Sequence, residues 1–169
     1  NQRSQIIMSV FQFKQFSVNQ DQTAMKIGTD GVLLGAWTPI ENNPKSVLDI
    51  GTGSGCIAIS LAKHLPTSEV YAIDVSEEAL ATAKKNAELN KVAIDFISTN
   101  ILDVITLSAV AGLDKQFDII VSNPPYVREL EKQQMQPNVL NNEPHLALFV
   151  KDENPLLFYN AITQFAVNN

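Results

Sequence analysis

The chain has 169 residues, enough for one domain with a sizeable core, and no apolar run approaches the length of a membrane-spanning helix. Its 45% hydrophobic and 18% charged residues are those of an ordinary globular protein, and its net charge of -6 excludes a non-specific nucleic-acid binder, although a local basic patch stays open. The single cysteine excludes an internal disulfide and a cysteine-rich metal site, and the N-terminus lacks the layout of a signal peptide, so the expected compartment is the cytoplasm, with no membrane partner.

In chain order, residues 1–7 are polar and without periodicity, and Met8 reads as a candidate original start. Residues 10–18 alternate apolar and polar in part, which predicts one or two short strands. Residues 26–31 read as a turn in which Thr29 or Asp30 can cap a short apolar helix over 32–37. A polar break at 41–44 is the expected junction between an N-terminal segment (1–44) and a core (45–169). Residues 47–50 then read as a buried parallel strand. It breaks into Gly51-Thr52-Gly53-Ser54-Gly55, and the apolar run 56–62 predicts a well-covered helix. A strand, a glycine turn and a helix N-terminus together cradle a nucleotide or a nucleoside cofactor. The spacing departs from the dinucleotide fingerprint, because the third glycine is Gly55 and position 56 holds Cys56. The apolar neighbours of Cys56 favour a packed core thiol over an activated one.

A second strand is expected over 69–74. Ser76 is a plausible N-cap for a helix running to about residue 90, with Glu77 and Glu78 suited to its positive end. Residues 93–98 and 117–122 read as a third and a fourth strand, the latter apolar enough to be central. Asn154 and Pro155 are placed to be the N-cap and first residue of a last helix ending near residue 167. Strands and helices in alternation predict an α/β fold, an open and mostly parallel sheet with flanking helices.

Open sheets of this kind bind ligands beyond the carboxyl ends of their strands. Asp74 ends the second strand about 20 residues past the glycine turn, where a carboxylate accepts from both ribose hydroxyls. Asp49 either contacts an ammonium group of the ligand or holds the glycine turn through backbone amides. Asn100 reads as a partner for an adenine edge or as a loop amide. The fourth strand ends in Asn123-Pro124-Pro125-Tyr126. Two prolines cannot continue a ladder, so the chain leaves the sheet there with fixed φ angles. The Asn123 side-chain oxygen and the Pro124 carbonyl are two acceptors suited to the hydrogens of a planar NH₂ group. Holding them draws the nitrogen lone pair out of conjugation, and Tyr126 can stack on the planar group.

On these residues the span 47–126 resembles the class I S-adenosylmethionine-dependent methyltransferases, Rossmann-like enzymes whose Asn-Pro-Pro-Tyr members methylate planar nitrogens. The resemblance implies that Gly51, Gly53 and Gly55 line the methionine and ribose of S-adenosylmethionine, that Asp74 binds the ribose, and that Asn123, Pro124 and Tyr126 hold the substrate nitrogen. The family usually has Asp where this chain has Asn100. Residues 47–165 are similar to release-factor glutamine methyltransferases, through the glycine turn, Asn123-Pro124-Pro125-Tyr126-Val127 and Glu143-Pro144-x-x-Ala147-Leu148. Residues 11–37 instead resemble the start of bacterial tRNA(Val) adenine-N6 methyltransferases. The carrying residues are Phe13-Lys14-Gln15-Phe16 and Ala24-Met25-Lys26-Ile27-Gly28-Thr29-Asp30-Gly31-Val32-Leu33-Leu34-Gly35-Ala36-Trp37. A hybrid chain is therefore one reading. The implied substrate is a glutamine of a peptide chain release factor, with tRNA as the alternative. A cofactor-binding fragment without activity and a nicotinamide-dependent oxidoreductase are the readings from other classes. Both families carry about three more strands than this chain supplies, which implies that the fourth strand becomes an edge, open to self-association, unless the N-terminal segment or another chain covers it.

Overall fold

A computed structural model describes residues 10–20, 27–103, 110–135 and 145–168. Met8, Ala24, Met25, Lys26, Glu143 and Pro144, all singled out above, lie outside the described residues. The elements run β1 (Val10–Gln12), β2 (Ser17–Asn19), α1 (Thr29–Trp37), β3 (Ser46–Ile50), α2 (Cys56–His64), β4 (Glu69–Asp74), α3 (Glu77–Asn90) and β5 (Asp95–Ser98). After a 3₁₀ turn at Ile101–Asp103 come β6 (Ile119–Ser122), β7 (Val127–Arg128), a 3₁₀ segment at Glu129–Gln134, α4 (His145–Leu148), β8 (Phe149–Val150) and α5 (Leu157–Asn168).

The central sheet is parallel throughout, in the order β5-β4-β3-β6. The α/β, Rossmann-like architecture is therefore the one the alternating sequence predicts. β3 is buried along its whole length because both faces are covered. Val47 packs on one face with Ile57, Ala58 and Leu61 of α2, while Leu48 and Ile50 pack on the other with Ile73, Leu113 and Phe165 of α5. Each such side chain contributes about 1.5–3 kcal/mol by leaving water. Truncating Leu48, which is fully buried, would cost about 2–5 kcal/mol, because so tight a site cannot collapse around the cavity.

β1 and β2 form an antiparallel hairpin away from the central sheet. It buries Phe16 and Val18 against Ile59 of α2 and Ala87 of α3. Two amides of α3 hold it from below. Asn86 accepts from the Asn19 N–H at 2.8 Å and donates to the Asn19 carbonyl at 2.9 Å, and Asn90 Nδ2 donates to the Ser17 carbonyl at 2.6 Å.

Several boundaries differ from expectation. β5 starts at Asp95 rather than at 93. β6 starts at Ile119 rather than at 117, although Asp118 already reaches β3, its N–H donating to the Ser46 carbonyl at 3.1 Å and its carboxylate accepting from the backbone N–H groups of Lys45 and Ser46 at 2.6 and 3.0 Å. The latter two bonds hold the Asp118 carboxyl below its usual range. β6 is an edge and not a central strand: among the described residues it pairs only with β3. α1 begins at Thr29, with Gly28 as N-cap and no capping side chain, so neither Thr29 nor Asp30 is the cap. Ser76 does cap α3, accepting from the Ala79 N–H at 3.2 Å. Asn154 and Pro155 lie in a turn ahead of α5, where the Asn154 carbonyl accepts from Leu157 N–H at 3.2 Å. Among the described residues no helix is long and apolar enough to cross a membrane.

Candidate active site

All four strands of the sheet point their carboxyl ends the same way, and the predicted residues gather at that edge. After β3 the backbone passes through positive φ at Gly51 (+73°), Gly53 (+55°) and Gly55 (+83°), a region side-chain-bearing residues rarely adopt. The turn is pinned to β4 by the N–H groups of Gly51 and Thr52, both donating to the Ile73 carbonyl at 2.9 and 3.1 Å. From the end of β4, Asp74 braces both sides. Its Oδ2 accepts from the Gly53 N–H and its Oδ1 from the Ser76 N–H, each at 2.9 Å.

Asp49 lies beneath the turn, 1% exposed. Its Oδ2 accepts from the Thr52 hydroxyl at 2.7 Å and the Ala58 N–H at 3.1 Å, while Oδ1 is buried with no hydrogen-bond partner. Burial pushes this carboxyl up to about 6, with the nearby Asp74 charge adding a smaller push and the two hydrogen bonds opposing it. The second of its two sequence readings therefore describes its contacts, since Asp49 ties the turn to the start of α2. Cys56, at that helix start, is pushed up to about 12, mainly by burial and then by the Asp49 charge, so it is a packed thiol and not an activated one.

At the other end of the same edge, β6 runs into Asn123-Pro124-Pro125-Tyr126. Ser122 Oγ donates to the Ile50 carbonyl at 2.8 Å, fixing the strand end against β3. Asn123 Nδ2 donates to Asp30 Oδ2 of α1 at 2.9 Å. A cavity of about 350 Å³ joins the two ends, a size within the usual range for small-ligand sites. Gly51, Gly53, Asp74, Asn100, Asn123 and Pro124 all line it. Asn100 Oδ1 accepts from the Leu102 N–H at 3.0 Å, which orients the amide at the start of the 3₁₀ turn.

Three of the residues expected at the site do not line the cavity: Asp49, Gly55 and Tyr126. At Gly55 the backbone has φ +83°, strained for a side-chain-bearing residue, and a Cβ there would also sit a tight 3.1 Å from the Ala83 Cβ of α3. Tyr126 is 53% exposed, outside the cavity wall. Conversely, sequence reasoning passed over Ser76, Glu78 and Thr99 as lining residues, and over Phe158 and Ile162 of α5. Ser76 and Glu78 carried a signal, since they follow Asp74 directly. The α5 residues carried none, because only the fold brings that helix across the sheet edge.

The lining fits a nucleoside cofactor. Where Cβ atoms would stand on Gly51 and Gly53 there is nothing within 4 Å, so side chains there would fill the space that the bare turn leaves in the cavity wall. Beside it stand a carboxylate suited to ribose hydroxyls and the apolar side chains of Ile73, Val75 and Ile101.

Comparison with known proteins agrees with this geometry. A release factor glutamine methyltransferase of Flavobacterium psychrophilum is 63% identical over 123 residues, 73% of this chain and 41% of that protein. A tRNA1(Val) (adenine(37)-N6)-methyltransferase of the same species is 45% identical over 127 residues, 71% of this chain and 50% of that protein. The chain thus spans about half the length, or less, of these curated relatives. The crystal structure of a ribosomal protein L11 methylase from Lactobacillus delbrueckii subsp. bulgaricus shares the fold, with a TM-score of 0.52 at 21% identity over 92% of this chain and 88% of that one. The family model described as "Methyltransferase small domain" matches residues 27–146, across both the glycine turn and Asn123-Pro124-Pro125-Tyr126, and the chain belongs to that family.

Proposed function

We propose that this chain is the core of an S-adenosylmethionine-dependent N-methyltransferase whose acceptor is the side-chain amide of a glutamine in a peptide chain release factor. The observation that carries the reading is the single cavity with Gly51, Gly53 and Asp74 at one end and Asn123 and Pro124 at the other. Bound there, S-adenosylmethionine supplies an electrophilic methyl group on a sulfonium sulfur and is left as the neutral thioether once a C–N bond has replaced the C–S bond. The residues of the chain do the rest. Asp74 takes the ribose hydroxyls on the lone pairs its two backbone donors leave free, and the bare backbone of Gly51 and Gly53 admits the methionine portion. Asn123 Oδ1 and the Pro124 carbonyl each accept one N–H of the glutamine amide. This turns the nitrogen lone pair out of conjugation and toward the methyl group, and the amide proton that is lost goes to solvent. No general base stands at the nitrogen in this reading, because orientation beside a sulfonium supplies the main advantage.

A second acceptor, the N6 amine of an adenine in tRNA, presents the same planar NH₂ to the same two acceptors. The similarity to the tRNA1(Val) methyltransferase favours it, as does the contact of α1 with Asn123. Against it stands the net charge of -6, since tRNA binding draws mainly on phosphate neutralisation. Offering a release factor and tRNA side by side with labelled cofactor tests the choice. Label on the release factor glutamine is expected. Label on a tRNA adenine, with the release factor unmodified, would reverse the acceptor. Tight binding of NAD without any of S-adenosylmethionine would overturn the cofactor assignment.

A further inference from the structure

We infer that Asp30 is a positioning residue: its carboxylate sets which way round the Asn123 amide stands, and so which of its two ends faces the substrate. The inference rests on the proposed role of Asn123. An asparagine side chain is nearly symmetric in shape and opposite in chemistry at its two ends, with an acceptor oxygen and a donor NH₂. Only one orientation can receive the hydrogens of a planar NH₂ group. Turned over, the amide presents its own hydrogens to those of the substrate, and the site repels what it must hold.

Among the described residues, nothing in β6 itself decides between the two. Asp30 does, because an ionised carboxylate is acceptor-only and takes the NH₂ end alone. The bond is 2.9 Å from Asn123 Nδ2 to Asp30 Oδ2. Asn123 lines the cavity and Asp30 does not, so with its NH₂ end taken by the carboxylate the amide has its Oδ1 left to offer a ligand. The turned-over amide would lose a charge-assisted bond and set oxygen against oxygen.

Two features of α1 place the carboxylate for this task. The helix is capped by the backbone of Gly28 with no side-chain cap, so Asp30, in its first turn, is not spent on the orphan N–H groups there. A Cβ on Gly28 would collide with Asp30 Oδ1. A side chain at position 28 would therefore make this flexible carboxylate shift from the place it occupies. The partners lie 93 positions apart, one on each side of the polar break at 41–44.

The competing account is that Asp30 merely complements the positive end of α1. The experiment compares Asp30→Ala, Asp30→Asn and Asp30→Glu with the native chain. An amide at position 30 can meet either orientation of Asn123, so it removes the choice while keeping size and polarity. If the acceptor-only character matters, Asp30→Asn and Asp30→Ala should both lower kcat roughly five- to tenfold, the scale of one lost charge-assisted bond at an exposed site. S-adenosylmethionine affinity and KM should stay within about twofold, since neither depends on the choice. Asp30→Glu, which restores an acceptor-only group, should recover part of the rate. In the Asn123→Ala background Asp30→Asn should have no further effect. The ¹⁵N-resolved side-chain NH₂ signals of Asn123 give a readout that needs no turnover. They should shift, and the two protons should exchange places faster, in Asp30→Ala and Asp30→Asn.

Native kcat in Asp30→Asn while Asn123→Ala is impaired would overturn the positioning role and leave the site reading intact. Native turnover in Asn123→Ala would remove both. Should no chain turn over, Asn123 NH₂ signals indifferent to Asp30→Ala would by themselves overturn the inference, and displaced signals would support it.

Discussion

The two ends of the cavity are built by different means. At the glycine turn, three side chains are tied to backbone. Asp74 holds the N–H groups of Gly53 and Ser76, Asp49 that of Ala58, and Asn86 Nδ2 reaches the Ser54 carbonyl at 2.9 Å. At the Asn123 end, the key amide is held by a side chain on the distant α1, in an exposed bond. The cofactor end is therefore shaped by the fold and cannot change without disturbing β3, β4, α2 and α3 together. The acceptor end can change by a few side chains. On the proposed function, such a scaffold would keep one methyl donor and be fitted to different nitrogens.

The sharpest way to test that contrast is to break the acceptor end alone. Asn123→Ala should lower kcat about a hundred- to a thousandfold, the scale of losing one well-placed polar group, while leaving cofactor affinity nearly unchanged. A variant with native turnover would show that Asn123 does not orient the nitrogen. Stability should respond to the other end. Burial raises the Asp49 carboxyl from 3.8 to about 6, so the folded protein holds that proton more tightly than the unfolded chain. The stability so gained is complete below about pH 4 and is lost as pH rises through about 6, a change of about 3 kcal/mol at ~1.4 kcal/mol per pKa unit. Urea unfolding across that window should show the loss in the native chain and not in Asp49→Asn. Equal slopes would mean that Asp49 stays ionised throughout.

Asp74→Ala should weaken S-adenosylmethionine by about 1.5–3 kcal/mol, the worth of charge-assisted hydrogen bonds. Unlike Asn123→Ala, it should also lower the melting temperature, because the Gly53 and Ser76 N–H groups lose their acceptor. Calorimetry showing native affinity would take Asp74 out of the site. The smallest effect concerns the acceptor. Raising salt from about 50 to 200 mM should change release-factor methylation by less than about threefold, whereas a tRNA reaction should fall more than tenfold. A steep salt dependence with the release factor would mean that charge, and not the loop presenting the glutamine, dominates its capture.

What could be read in advance was local. The strand over 47–50, its glycine turn, Asp74 at the next strand end and Asn123-Pro124-Pro125-Tyr126 announce themselves within a few residues, by hydrophobic runs and backbone-breaking residues. What escaped depends on distance along the chain. The hairpin rests on Asn86 and Asn90, which read as ordinary helix-surface residues until Asn19 and Ser17 are seen beside them. Asp30, like Thr29, reads as able to cap the helix, because nothing in its neighbourhood points to Asn123. Asn154 and Pro155 follow the start rule for helices, yet the helix begins two residues after Pro155. Two sequence signals disagree on the fourth strand: its apolar composition suggests a central place, the missing later strands an edge, and β6 is an edge among the described residues. Leu34, Trp37 and Pro39 share the walls of a groove with β6, and Trp37 is 77% exposed.

Cys56 is the chain's single thiol, it stands at the first residue of α2 directly after the glycine turn, and burial covers it and pushes its thiol well above ordinary acidity. An alkylating reagent therefore reacts only in the moments when this helix start lifts away, when the thiol regains an ordinary acidity near 8.5. Its rate of labelling is the product of that opening equilibrium and the known reactivity of an exposed thiol, in the manner of amide hydrogen exchange. The molecule carries a one-site chemical clock at the root of its cofactor turn, legible by intact mass. Any ligand that grips the closed turn and not the open one slows the clock by the factor 1 + [L]/Kd, so occupancy can be timed before any acceptor has been found.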